Sequence, residues 1–314
     1  MTSGFRLMAV HAHPDDEASK GSATMARYLA EGNRVHVVTC TGGERGDVLN
    51  PRLADDPRVK SDLVDLRRQE MAASRDVVGY EHTWLGFVDS GLPEGDPLPP
   101  LPPGCFALEP LDVTTEALVR VIREFRPHVV TTYDENGGYP HPDHIMTHLV
   151  TISAVRAAGD PEAYPHAGEP WQPLKVYYDR TFSRAKLEAY HDVLVTAGRE
   201  SPYPAWLERR ADRPEGRITT RVDASKWFDV RTKALLAHAT QIDPDGQFFA
   251  LSSDEQATAW PMEDWDIALS AVPVAEDEND LFAGLGTPEE ADAMATATPP
   301  AKMVVDDVVE RKES

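Results

Sequence analysis

Two short stretches of this 314-residue chain hold the residue types most able to do chemistry together: AHPDDE at residues 12–17 and GGYPHPDH at residues 137–144. Each groups histidine, proline and aspartate where an apolar run gives way to a helix-like pattern. Taken singly, either could be a turn with an N-cap, because proline and aspartate commonly open helices. Capping does not call for imidazole, however. Brought to adjacent strand ends, the two stretches place three imidazoles (His13, His141, His144) and three carboxylates (Asp15, Asp16, Asp143) in one concavity. Two imidazole nitrogens and one carboxylate oxygen, without thiolate, leave a fourth position open, which is the layout of catalytic zinc; Fe(II) accepts the same donors. A dication there polarises a carbonyl and acidifies water, so a carboxylate that is not a ligand can take the water's proton. Asp15 and Asp16 are adjacent and do not easily point the same way. One suits ligand and the other base.

The surrounding elements must position these groups. RLMAVHA (6–12) reads as a buried strand, residues 17–31 as a helix stopped by Gly32 and Asn33, RVHVVTCT (34–41) as a second strand, residues 61–78 as a helix and EHTWLGF as a third strand. The Pro- and Gly-rich segment between Asp89 and Asp112 excludes helix and central strand. Thr114 or Thr115 is placed to cap the helix TEALVRVIREF, which is followed by the strand PHVVTTYD and a helix from His144 to Ala158. This alternation predicts an α/β fold with a doubly wound, mostly parallel, Rossmann-like sheet. In such sheets ligands gather at the carboxyl ends of the strands, where both motifs fall. After about residue 160 the alternation loosens, with LKVYYDRTFS and ITTRVD as strands and SKWFDVRTKALLAHATQ as a helix. We expect one catalytic domain over residues 1–285, with its sheet core at about 5–160 and a smaller C-terminal part at about 170–285. An acidic tail of low order is expected over 286–314.

Composition narrows the function classes. With 41% hydrophobic and 27% charged residues, the chain can bury a substantial core. No apolar run approaches the roughly 18 residues of a membrane span, and the start lacks a secretory layout, so a cytoplasmic location is expected. Two cysteines, Cys40 and Cys105, cannot make a disulfide framework. The net charge of -22 repels polyphosphate and anionic lipid, which argues against nucleic acid and membrane partners. Residues 271–314 contribute 11 acidic and 3 basic side chains to that excess, in the compositional style of a disordered segment. A dinucleotide-binding oxidoreductase is excluded, since HAHPDDEASKG follows the first strand where a Gly-x-Gly-x-x-Gly turn is needed. An inert binding module should have lost a ligand or the base, and none is missing.

In this order, AHPDDE, TGGERGD, LRRQEM, WLGFVDSGLP, RPHVVTTYDENGGYPHPDH and ALLAHATQ resemble the zinc-dependent N-deacetylase superfamily that includes the glycosylphosphatidylinositol and N-acetylglucosaminyl de-N-acetylases. Within it the chain is similar to the mycothiol branch, over about residues 5–285. The resemblance implies that His13, Asp16 and His144 bind zinc and that Asp15 is the general base. It further implies that His141 donates a proton or stabilises the tetrahedral intermediate, that Tyr139 sits over the oxyanion, and that Asp143 orients a histidine. Asp47, Arg67 and Asp89 match positions that hold sugar and inositol hydroxyls. Lys20, just past HPDDE, marks the amidase side of the branch; Gln241 is expected to reach the site from the C-terminal part, and His238 to be a packed core residue. The implied reaction is hydrolysis of the amide between glucosaminyl-inositol and the acyl-cysteine of a mycothiol S-conjugate, releasing an N-acetylcysteine S-conjugate in a detoxifying step. The alternative is deacetylation of N-acetylglucosaminyl-inositol. The implied partner is a small-molecule thiol conjugate, and a homo-oligomer is compatible with the role.

Overall fold

The computed structural model describes residues 4–209 and 215–297. In chain order the elements are β1 (Arg6–His11), α1 (Asp16–Ser19), α2 (Ser22–Ala30), β2 (Arg34–Thr41), α3 (Pro57–Val78), β3 (Glu81–Phe87), α4 (Leu111–Phe125), β4 (Val129–Thr132) and α5 (Pro142–Ala158). They continue with β5 (Lys175–Asp179), α6 (Arg184–Thr196), α7 (Tyr203–Arg209), β6 (Thr220–Asp223), α8 (Phe228–Ala237), α9 (Ser253–Ala259), β7 (Met262–Ser270) and α10 (Pro288–Ala297). The strands form one sheet in the order β3-β2-β1-β4-β5-β7-β6. The first five are parallel, and β7 runs antiparallel to both β5 and β6. Strand order reverses between β1 and β4, so their carboxyl ends border the crevice where an open α/β sheet binds ligands.

The predicted α/β architecture is observed. β1 is buried along its whole length, as a central parallel strand covered on both faces must be. Leu118, Val119, Ile122 and Phe125 recur at helical spacing and turn one face of α4 into the core. A separate apolar cluster of Leu187, Tyr190, Leu194, Tyr203 and Leu251 holds α6 and α7 together beyond the sheet. No helix among the described residues is long and apolar enough to cross a membrane. Cys40 and Cys105 are both unpaired and buried.

Several expectations are corrected. The helix expected over 17–31 is broken at Lys20 and Gly21; Gly21 has φ +104°, and a Cβ there would lie 2.6 Å from the Trp265 ring. Neither Thr114 nor Thr115 caps α4, which starts earlier, after Pro110, and buries both threonines. The helix expected through Gln241 stops at Ala237, releasing His238 and Gln241 into a turn that folds back towards β1. The strand β7 is hidden in the sequence by its three acids. Glu263 is buried because Thr24 gives it both a backbone N–H and a hydroxyl, and Arg231 lies beside it at 3.4 Å. The low-order tail expected from residue 286 begins too early: α10 buries Ala291 and Ala295, and Asp292 pairs with Arg6 and His128 at the start of β1 and β4. The rest of that predicted tail, 298–314, lies outside the described residues.

Candidate active site

β1 hands the chain directly to His13. The turn that follows is tight enough to put Asp15 at φ 104°, a left-handed state that non-glycine residues rarely adopt and that often marks a functional site. Tyr133, one residue beyond β4, locks this turn: its hydroxyl accepts from the N–H of Ala12 at 2.8 Å and donates to Asp16 Oδ2 at 2.7 Å. Asp16 Oδ2 also accepts the N–H of His13 at 3.0 Å. The carboxylate is thereby aimed across the β1–β4 crevice.

From the β4 side, α5 brings up His144. Gly137 permits the approach, since it has φ +70° and any Cβ there would lie 2.6 Å from that of His144. The His144 ring stacks on Tyr133, with centroids 4.2 Å apart. Its Nδ1 faces the carbonyl of Gly137 at 2.9 Å, which makes Nδ1 the protonated nitrogen and leaves a lone pair on Nε2. That Nε2 is buried without a hydrogen-bond partner, 3.4 Å from Asp16 Oδ2. His13 completes the group, with Nδ1 3.5 Å from the same oxygen. Ligand atoms of His13, Asp16 and His144 all lie within 4.8 Å of one another.

The far side of His13 is braced by acids. Its Nε2 lies 3.2 Å from Asp143 Oδ2 and 3.5 Å from Asp89 Oδ1. Asp143 is fully buried and accepts the N–H and hydroxyl of Ser90. This carboxylate–histidine relay is the arrangement that fixes the tautomer of a metal-ligating imidazole. Burial opposes a charge on His13, yet Asp143, Asp16 and Asp89 hold its pKa well above the ordinary value, so the pocket carries an excess of negative charge that a cation would offset. The group His13, Asp89, His141 and Asp143 is also close enough to hold a metal. Carboxylates of both groups accept backbone N–H groups, but only the group of His13, Asp16 and His144 holds a buried ring nitrogen without a partner, His144 Nε2. The donors of His13, Asp16 and His144 fit a divalent metal better.

Asp15 stands beside this group and faces the cavity. Burial, then the neighbouring charge of Asp16, raises its pKa to about 7. Its N–H donates to Glu17 Oε2 at 2.9 Å, and Glu17 Oε1 in turn takes Ser74, Tyr80 and His238 at 2.7, 3.1 and 2.7 Å. His238 is buried as expected, but through Glu17 it also anchors the turn that carries Asp15. His141 caps α5 through Nδ1, which accepts the N–H of Asp143 at 3.1 Å, so the proton sits on Nε2. Tyr139 is 40% exposed and packs its ring edge-on to His144 at 4.7 Å.

His13, Asp15, Asp16, Tyr139 and His141 line one cavity of about 2210 Å³, which also includes Lys20, Asp47, Arg67, Asp89 and Gln241, with His144 buried behind it. Lys20 is buried, with Nζ 2.5 Å from Asp16 Oδ1. Arg67 is buried as well: it donates to the carbonyls of Gly43, Gly46 and Asp47, shaping the loop after β2. Asp47 is exposed, and Gln241 donates to the carbonyl of Pro14. Residues 8–155 match the GlcNAc-PI de-N-acetylase (PIG-L) family, and the chain is 56% identical over 289 residues to mycothiol S-conjugate amidase from Streptomyces coelicolor, covering 91% of this chain and 99% of that one. The chain belongs to the GlcNAc-PI de-N-acetylase family.

A second relative, 1D-myo-inositol 2-acetamido-2-deoxy-alpha-D-glucopyranoside deacetylase from Geodermatophilus obscurus, is 40% identical, with 91% of this chain and 99% of the relative covered. Among solved structures, N,N'-diacetylchitobiose deacetylase from Pyrococcus horikoshii shares the fold with a TM-score of 0.56 and 17% identity, covering 83% of each chain. Sequence reasoning missed Tyr133 and the Glu17–His238 pair. Tyr133 lies in the motif PHVVTTYD, and its place just past a parallel strand was the available signal. Nothing local ties Glu17 to His238, which are 221 residues apart.

Proposed function

We propose that this chain is a metal-dependent amidase that hydrolyses the amide between glucosaminyl-inositol and the acyl-cysteine of a mycothiol S-conjugate. The observation that carries the reading is the buried, unpartnered Nε2 of His144, within 4.8 Å of ligand atoms of His13 and Asp16, which with Asp15 line the cavity. His13, Asp16 and His144 would hold the metal, zinc by donor type, with Fe(II) as the alternative. When bound, the metal supplies Lewis-acid polarisation of the amide carbonyl and makes water a better nucleophile. Asp15, held in place through its N–H and Glu17, removes the proton from the attacking water. His141 offers Nε2–H to the oxyanion as a neutral donor, a state favoured by its place at the N-terminus of the 17-residue α5. Tyr139 covers the same region from the exposed side.

The mycothiol branch, and the amidase side of it, are supported by the 56% identity to the Streptomyces coelicolor amidase against 40% to the Geodermatophilus obscurus deacetylase. Asp47, Arg67, Asp89 and Gln241, which line the cavity, would meet the sugar and inositol hydroxyls. The test is the ratio of kcat/KM for an S-conjugate to that for N-acetylglucosaminyl-inositol, with products identified by mass. A ratio well above one, with release of an N-acetylcysteine S-conjugate, is expected. Preference for the acetyl substrate would move the chain to the deacetylase reading.

A further inference from the structure

The two ends of the cavity differ in aromatic content, and strand order decides which is which. His13 and His141 follow β1 and β4 in the middle of the sheet. The loops after β2 and β3, carrying Asp47 and Asp89, lie on one side of them; the loop after β5 lies on the other. Neighbouring strands are about 4.8 Å apart, so an extended substrate whose carbonyl sits over His13 reaches both loops. The β2–β3 end presents Arg45, Asp47, Asp89 and Glu94 beside Leu49 and Leu92 and no aromatic ring, and the β5 end carries charge as well, on Asp179, Arg180 and Arg217. At the β5 end, Phe182 meets Trp206 edge-on at 5.0 Å and Phe248 at 6.0 Å, and all three line the cavity. Phe182 and Trp206 are only partly buried and back onto the apolar cluster of α6 and α7, which leaves aromatic surface facing the cavity. Lys20, whose ammonium bonds Asp16, and Asp179, three residues before Phe182, line the same cavity.

An amide divides its substrate at the carbonyl. With the sugar's amine side on the hydroxyl-binding β2–β3 loops, the acyl-cysteine and its sulfur project towards β5. We infer that Phe182, Trp206 and Phe248 form the subsite for the group carried on that sulfur, and that it selects bulky aromatic or apolar substituents. This rests on the amidase reading above. A rigid aromatic wall rewards ring burial and offers a small alkyl group little contact.

The experiment compares kcat/KM for S-benzyl and S-methyl mycothiol in the metal-loaded wild type, Phe182→Ala and Trp206→Leu. The benzyl-to-methyl ratio should exceed one in the wild type and fall about tenfold in each variant, mostly through KM. Both substrates are read on one preparation, so a loss of folded protein cancels from the ratio. An unchanged ratio in both variants, or a wild type indifferent to the substituent, overturns the subsite while leaving the amidase reading intact. A wild type that cleaves N-acetylglucosaminyl-inositol but neither conjugate overturns both.

Discussion

Asp15 and Asp16 show how far residue types alone carry the assignment. Their adjacency requires different roles, but only the structure shows Asp16 fixed by Tyr133, Lys20 and the N–H of His13, with Asp15 turned to the cavity in a left-handed backbone state. Asp15→Asn should therefore keep the metal and lose on the order of 10² in kcat, the usual worth of a general base. Metal analysis beside the rate measures both, and loss of metal in step with rate would mean that the two roles are exchanged. The histidines of the two motifs were legible from their type and spacing. The partners that orient them were not, because Tyr133, Ser90 and Gly137 have no distinctive chemistry until the fold brings them together.

At the scale of elements, alternation of strand and helix revealed the first four parallel strands and the ends that carry the motifs. It failed where burial is bought with polar contacts, as in β7, and where one glycine breaks a helix, as at Gly21. The C-terminal segment is a further case. Its acidic, alanine-rich composition resembles a disordered tail, yet α10 packs two alanines and ties Asp292 to Arg6 and His128. Truncation after Leu285 should lower stability by on the order of 2 kcal/mol, from lost apolar burial and one partly exposed ionic cluster. The rate per folded molecule should hold, since no candidate catalytic residue lies there. Denaturant unfolding paired with active-site-normalised kinetics checks this, and unchanged stability would show that α10 contributes nothing to the core.

Across the whole molecule, the sheet runs from β3 to β6 through both the N-terminal and C-terminal parts, and we propose that residues up to about 285 act as one catalytic unit. Its stability should depend on pH through one half-buried and one buried histidine. Burial holds His82 and His128 at about 4, below the ordinary 6.5, with Arg6 adding to the effect at His128. Both are neutral when folded and can take up a proton on unfolding, so their contribution is full above about pH 6.5 and is lost as pH falls towards 4. Each should cost on the order of 1 kcal/mol by pH 5. His128→Asn should flatten the acid limb of a Tm-against-pH curve, and an unchanged limb would refute its part. The metal centre itself is tested most directly by elemental analysis of the purified wild type and His144→Ala, run beside amide hydrolysis. The wild type should hold about one transition metal per chain, and His144→Ala should lose both metal and activity. Full metal occupancy in that variant would contradict the assignment of His13, Asp16 and His144 as the centre.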